Sequence, residues 1–168
     1  MRPHPEYIKR YRARWERFQQ RYEGFSEEEI YFEQDFSSND SIYDAAVLIT
    51  DWSSIACEFS FATLKPSVFV DTPMKTCNPQ WEELGIMPTD ITLRNEIGSS
   101  IAVDELERIG DVVAAMVGDP GAWRERIENV REGMVYHLGK GGEMAGSYIL
   151  ERVLARQSEE GEGADRVA

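Results

Sequence analysis

The sequence predicts an α/β fold, a Rossmann-like parallel sheet flanked by helices. Three observations carry this expectation. Two short apolar runs, residues 46–50 and 67–70, have the composition of strands buried on both faces. Between them, residues 53–64 place Ile55, Phe59, Ala62 and Thr63 at helical spacing. Strand, helix and strand in such tight succession form a βαβ unit, which forces a parallel sheet with right-handed crossovers.

The remaining elements follow in chain order. Residues 5–23 read as a helix, because Tyr7, Ile8, Tyr11, Trp15, Phe18 and Tyr22 recur at intervals of three and four, and Gly24 stops it. Residues 29–35 read as a short strand. Ser37-Ser38-Asn39-Asp40 is a cluster of capping residues, which predicts a short helix over 41–45. Pro66 ends the 53–64 helix, and Asp71-Thr72-Pro73 closes the second strand. Residues 74–100 read as irregular, punctuated by Pro79 and Pro88. Ile101-Ala102 is expected as a short edge strand. Asp104 is expected to cap a helix over 105–117, and Gly118-Asp119-Pro120 to turn into a helix over 122–132. Residues 139–142 read as a flexible loop and 143–156 as a last helix. The whole is expected as one domain over 1–156, its first strand truncated, because Arg2-Pro3-His4-Pro5 has the look of a strand's end. Residues 157–168, acidic and Gly-rich, read as a disordered tail.

Composition narrows the function classes. The chain of 168 residues is 42% hydrophobic and 29% charged, values of a globular protein. Its net charge of −13 argues against a nucleic-acid partner. The basic stretch over residues 1–21 suits an anionic ligand, another domain, anionic lipid or plain solvent. No apolar run approaches the roughly 20 residues of a membrane span, and no secretory leader is evident. A cytoplasmic location is expected, with peripheral contact to the inner face of the membrane left open. The two cysteines, Cys57 and Cys77, make no disulfide framework, and Cys57 fits a small core residue. His4, Cys57, Cys77 and His137 lack metal-ligand spacing, so neither metal nor cofactor is expected.

In open parallel sheets, ligands bind beyond the carboxyl ends of the strands. Thr50-Asp51-Trp52-Ser53-Ser54, Asp71-Thr72-Pro73 and His4-Pro5 converge on that edge. A helix N-terminus there offers unpaired N–H groups and about half a positive charge, which suits a diphosphate. Ser53 or Ser54 then either caps the helix or turns its hydroxyl to a phosphate oxygen. Asp51 would repel phosphate and is expected to order the loop instead, as is Asp71. His4, between two prolines, suits a phosphate donor or a general acid or base, or is simply exposed. Arg94 is either a surface residue or a planar fork for phosphate. Thr50, Ser53, Ser54 and Arg94 are thus the candidate phosphate ligands, and His4 the candidate catalytic residue. The glycines of His137-Leu138-Gly139-Lys140-Gly141-Gly142 permit a weaker anion site, without P-loop spacing.

One stretch carries a family likeness. Tyr43-Asp44-Ala45-Ala46-Val47-Leu48-Ile49-Thr50-Asp51-Trp52-Ser53-Ser54-Ile55, then Glu58-Phe59, then Lys65-Pro66-Ser67-Val68-Phe69-Val70-Asp71-Thr72-Pro73, resembles the CDP-glycerol glycerophosphotransferase family. Arg2-Pro3-His4-Pro5 looks like that family's upstream strand end. The likeness covers roughly residues 2–73 and thins beyond. It implies the C-terminal, donor-binding half of a GT-B enzyme. Such enzymes move glycerol phosphate, or a related polyol phosphate, from a CDP-linked donor to a surface polymer such as teichoic acid, or to a lipid-linked acceptor. It also implies that Ser53 and Ser54 contact the donor phosphates and that His4 lies near the diphosphate. The missing N-terminal domain becomes a partner, and this half alone is expected to be nearly inactive. In one departure, Asn78-Pro79-Gln80-Trp81 stands where many members carry an Arg-Gly-aromatic element. Two other readings remain: a transferase using another nucleotide-activated sugar, and a non-catalytic flavodoxin-like module that docks through residues 1–23.

Overall fold

The two apolar runs pair side by side, as strands buried on both faces must. In the computed structural model, which describes residues 1–74, 78 and 80–165 (side chains through 157), β1 (Leu48–Thr50) lies parallel to β2 (Ser67–Asp71). A third strand, β3 (Gly98–Ala102), pairs in parallel on the other side of β2, giving the order β1-β2-β3. The protein is therefore mixed α/β, with a small parallel sheet flanked by helices.

The contacts divide the chain into two compact units, Met1–Ala45 and Ala46–Ala168. In the first, α1 (Pro5–Arg10) and α2 (Arg12–Gln20) replace the single helix expected over 5–23. Tyr11 leaves helical geometry between them: its N–H closes α1 on Tyr7, and its carbonyl opens α2 by accepting from Arg14 and Trp15. Trp15 is buried and stacks with Phe18 at 5.7 Å and edge-on with Phe32 at 5.5 Å. The strand expected over 29–35 is not formed. Without a neighbouring strand the segment has no ladder to join, and it bonds Met1 instead, through Tyr31 O and Glu33 N. α3 (Asp40–Asp44) ends this unit, one residue earlier than the cap cluster suggested.

The second unit holds the sheet. Successive side chains of β2 serve opposite faces. Phe69 packs with Ala56 and Leu64 of the α4 region (α4, Ile55–Thr63), with Leu93 and with Ile97 of α6 (Arg94–Ile97), and with Ile127 of α8 (Pro120–Met134). Val68 packs on the other side with Ile101 and with Met116 of α7 (Ile109–Gly118). Each fully buried aliphatic or aromatic side chain contributes about 1.5–3 kcal/mol, so this double-sided core stabilises the unit. Ser60 and Ser67 are both fully buried and satisfy one another, Oγ to Oγ at 3.1 Å. Leu64 ends α4 at φ 57°, a left-handed position usually left to glycine. Its side chain is buried in the core, which offsets that strain.

Over residues 80–100 the chain is more regular than its composition suggests. A 3₁₀ turn over Trp81–Leu84, α5 (Thr89–Thr92) and α6 precede β3, which begins at Gly98 and not at Ile101. Gly98 is required by packing: a Cβ there would stand 1.8 Å from the Ser67 carbonyl oxygen. Cys77 and Pro79 lie outside the described residues. The helix expected from Asp104 starts as a 3₁₀ turn over Val103–Arg108, because Glu105 is non-helical, and α7 follows. α9 runs over Gly141–Asp165, through much of the stretch expected to be a loose tail; residues 166–168 lie outside the description. Among the described residues no helix is long and apolar enough to cross a membrane.

Candidate functional site

β1 ends at Thr50, and the chain turns through Asp51-Trp52-Ser53-Ser54 into α4. Thr50 stands opposite Phe69 of β2, so the ends of both strands, residues 50–54 and 70–72, share the carboxyl edge of the sheet. The sequence places hydroxyl residues at both capping positions. Ser54 is the N-cap by position, yet its side chain makes no capping bond. Ser53 Oγ sits 3.5 Å from the N–H of Ile55, the outer limit of a hydrogen bond. Both serines are exposed. The N–H groups of Ala56, Cys57 and Glu58 bond the carbonyls of Ser53 and Ser54, so the start of α4 leaves two hydroxyls open to solvent, where the helix dipole favours an anion.

The other side of this edge is closed. Arg94, the first residue of α6, is a buried cation with its side chain 6% exposed. It pairs with the Asp71 carboxylate and donates to the Asp51 carbonyl at 3.4 Å. Its guanidinium carbon lies 3.9 Å from the ring centre of Trp52 and 4.6 Å from that of Phe69. Trp52 in turn donates from Nε1 to the Thr72 carbonyl at 2.6 Å. Burial pulls the Arg94 pKa down, while Asp71 and Asp51 pull it back up. Asp71 thus compensates a buried cation at this edge.

The expected site residues accordingly divide. Thr50, Asp51, Ser53, Ser54, Asp71 and Arg94 belong to one edge of the second unit. Within it, Ser53 and Ser54 stay available, while Arg94 is engaged on protein groups. The Asp51 backbone carbonyl accepts from Arg94. His4 lies in the first unit, where Nδ1 accepts from the N–H of Glu6 at 3.1 Å and caps α1. Of the His137–Gly142 stretch, Gly141 and Gly142 open α9, and Lys140 N donates to His137 O at 2.7 Å. Cys57 is half-buried against the core, and burial raises its thiol pKa. No group of three or more His, Cys, Asp or Glu suited to a metal occurs among the described residues. The roles of Trp52 and Phe69 as supports for Arg94 were missed in the sequence. The signal available was an aromatic residue inside the turn and another at the facing strand position.

Comparison with family models, curated proteins and solved structures found no match to this chain.

Proposed function

We propose that this chain is the donor-binding half of a transferase resembling the C-terminal domain of a GT-B enzyme. In this reading it moves glycerol phosphate, or a related polyol phosphate, from a CDP-linked donor to a cell-surface polymer or lipid-linked acceptor. The observation that supports it best is the uncapped start of α4 at the carboxyl edge of a parallel sheet, with Ser53 and Ser54 exposed beside it. The sequence likeness over residues 2–73 supplies the class of donor.

The chemistry follows from the donor. An acceptor hydroxyl attacks the phosphorus that carries the glycerol, the bond from that phosphorus to the bridging oxygen breaks, and CMP leaves with the electron pair. The hydroxyl proton passes to a base. The transition state carries dispersed negative charge on phosphate oxygens, which fixed donors stabilise without reorganisation. The two exposed serine hydroxyls, at the positive end of the α4 dipole, are such donors. The acid–base chemistry is assigned to the remaining domain.

Calorimetric titration with CDP-glycerol, CDP and UDP tests the reading. Binding of the CDP ligands is expected, weakened by about 1–3 kcal/mol in the Ser53→Ala/Ser54→Ala double variant if both hydroxyls make charge-assisted bonds. Preference for UDP would replace the donor class. Binding by no nucleotide would remove this function from the chain.

A further inference from the structure

We infer that Arg94 is a positioning residue that holds the residue 51–54 turn in one arrangement and touches no ligand itself. The inference deepens the anion-binding reading above and rests on it for its functional meaning.

Four features carry it. First, the guanidinium is engaged on several sides: one nitrogen bonds the Asp51 carbonyl, another the Asp71 carboxylate, and Trp52 and Phe69 lie against it. Second, those partners come from different parts of the sheet edge. Asp51 and Trp52 follow β1, while Phe69 and Asp71 belong to β2, so one side chain ties both strand ends together. Third, Trp52 adds a second tie through Nε1 to the Thr72 carbonyl. Fourth, the root of the clamp is firm, because α6 starts at Arg94 and ends at Ile97, which is fully buried. Lysine lacks the planar fork that donates in two directions while lying against aromatic rings. With Asp71 cancelling its charge, Arg94 offers an incoming anion little attraction. Affinity then depends on how well the turn presents its serine hydroxyls at the start of α4.

The test uses the full chain, inorganic pyrophosphate as the probe, and the variants R94K and D71N. NMR of the ligand-free protein follows the Trp52 indole N–H and amide exchange over residues 52–56. In R94K the indole resonance should move and those amides should exchange roughly tenfold faster or more. Pyrophosphate affinity should fall by a similar factor, with its salt dependence unchanged. A wild-type ligand-free spectrum in R94K, together with weaker binding and a shallower salt dependence, would make Arg94 a direct ligand and overturn the inference. If R94K does not fold, D71N carries the test, since its amide oxygen is a weaker acceptor for the guanidinium. Exchange at 52–56 should then rise about threefold or more, and unchanged exchange overturns the inference. Failure of wild-type protein to bind pyrophosphate would instead remove the anion-binding reading, while the ligand-free exchange still decides the clamp.

Discussion

Two helices of the second unit begin in different ways. α8 starts at Pro120 behind Asp119, whose carboxylate accepts from the N–H of Ala122 at 3.1 Å. α4 starts behind Ser54, an equally good capping residue, and Ser54 leaves the position unused. Residue type does not separate the two ends. Position in the fold does: α4 follows β1 directly at the carboxyl edge of the sheet, and its turn is held by Arg94 and Trp52 instead of by its own cap. The lesson is that α8 uses its capping carboxylate on its own first turn, whereas the Ser54 hydroxyl at the start of α4 makes no capping bond.

This contrast can be broken or sharpened by substitution, starting with the platform beneath it. Gly98→Ala places a Cβ on the Ser67 carbonyl and should separate β3 from β2. A loss of about 3 kcal/mol or more is expected in urea unfolding, since backbone cannot yield as a side chain can. Near-normal stability would mean that the sheet tolerates a wider spacing and positions the turn loosely. Asp119→Ala removes a cap in use and should cost about 1 kcal/mol by the same measurement. Ser54→Ala removes a hydroxyl with no capping bond, so a change under about 0.5 kcal/mol is expected in stability. Its effect should appear in pyrophosphate affinity instead. Equal stability losses in the two helix-start variants would show that Ser54 caps α4 in solution, and the contrast would vanish.

Much of this architecture was legible in the chain, and the exceptions have physical causes. β1, β2 and α4 stood out because a strand buried on both faces must be apolar throughout, and because Pro66 cannot continue a helix. β3 was found only at its apolar end. Gly98-Ser99-Ser100 carries no hydrophobic signal, and Gly98 is demanded by the Ser67 carbonyl, a neighbour distant in sequence. The strand expected over 29–35 is not formed for the converse reason: a short stretch of strand-forming residues supplies no pairing partner of its own. α5 and α6 are too short for periodicity to register. At the site, the turn and its serines could be read from the strand-to-helix pattern. The engagement of Arg94 could not, because it depends on Asp71 and Trp52 meeting it across the folded edge.

The most direct measurement is an NMR titration of the full chain with CDP-glycerol, following backbone amides at both helix starts. Saturable shifts are expected at residues 52–56, with the amides of Gly121 and Ala122 unmoved. Shifts at the α8 start, at the α9 start near Gly141, or at neither would contradict the assignment of the α4 N-terminus as the donor phosphate site.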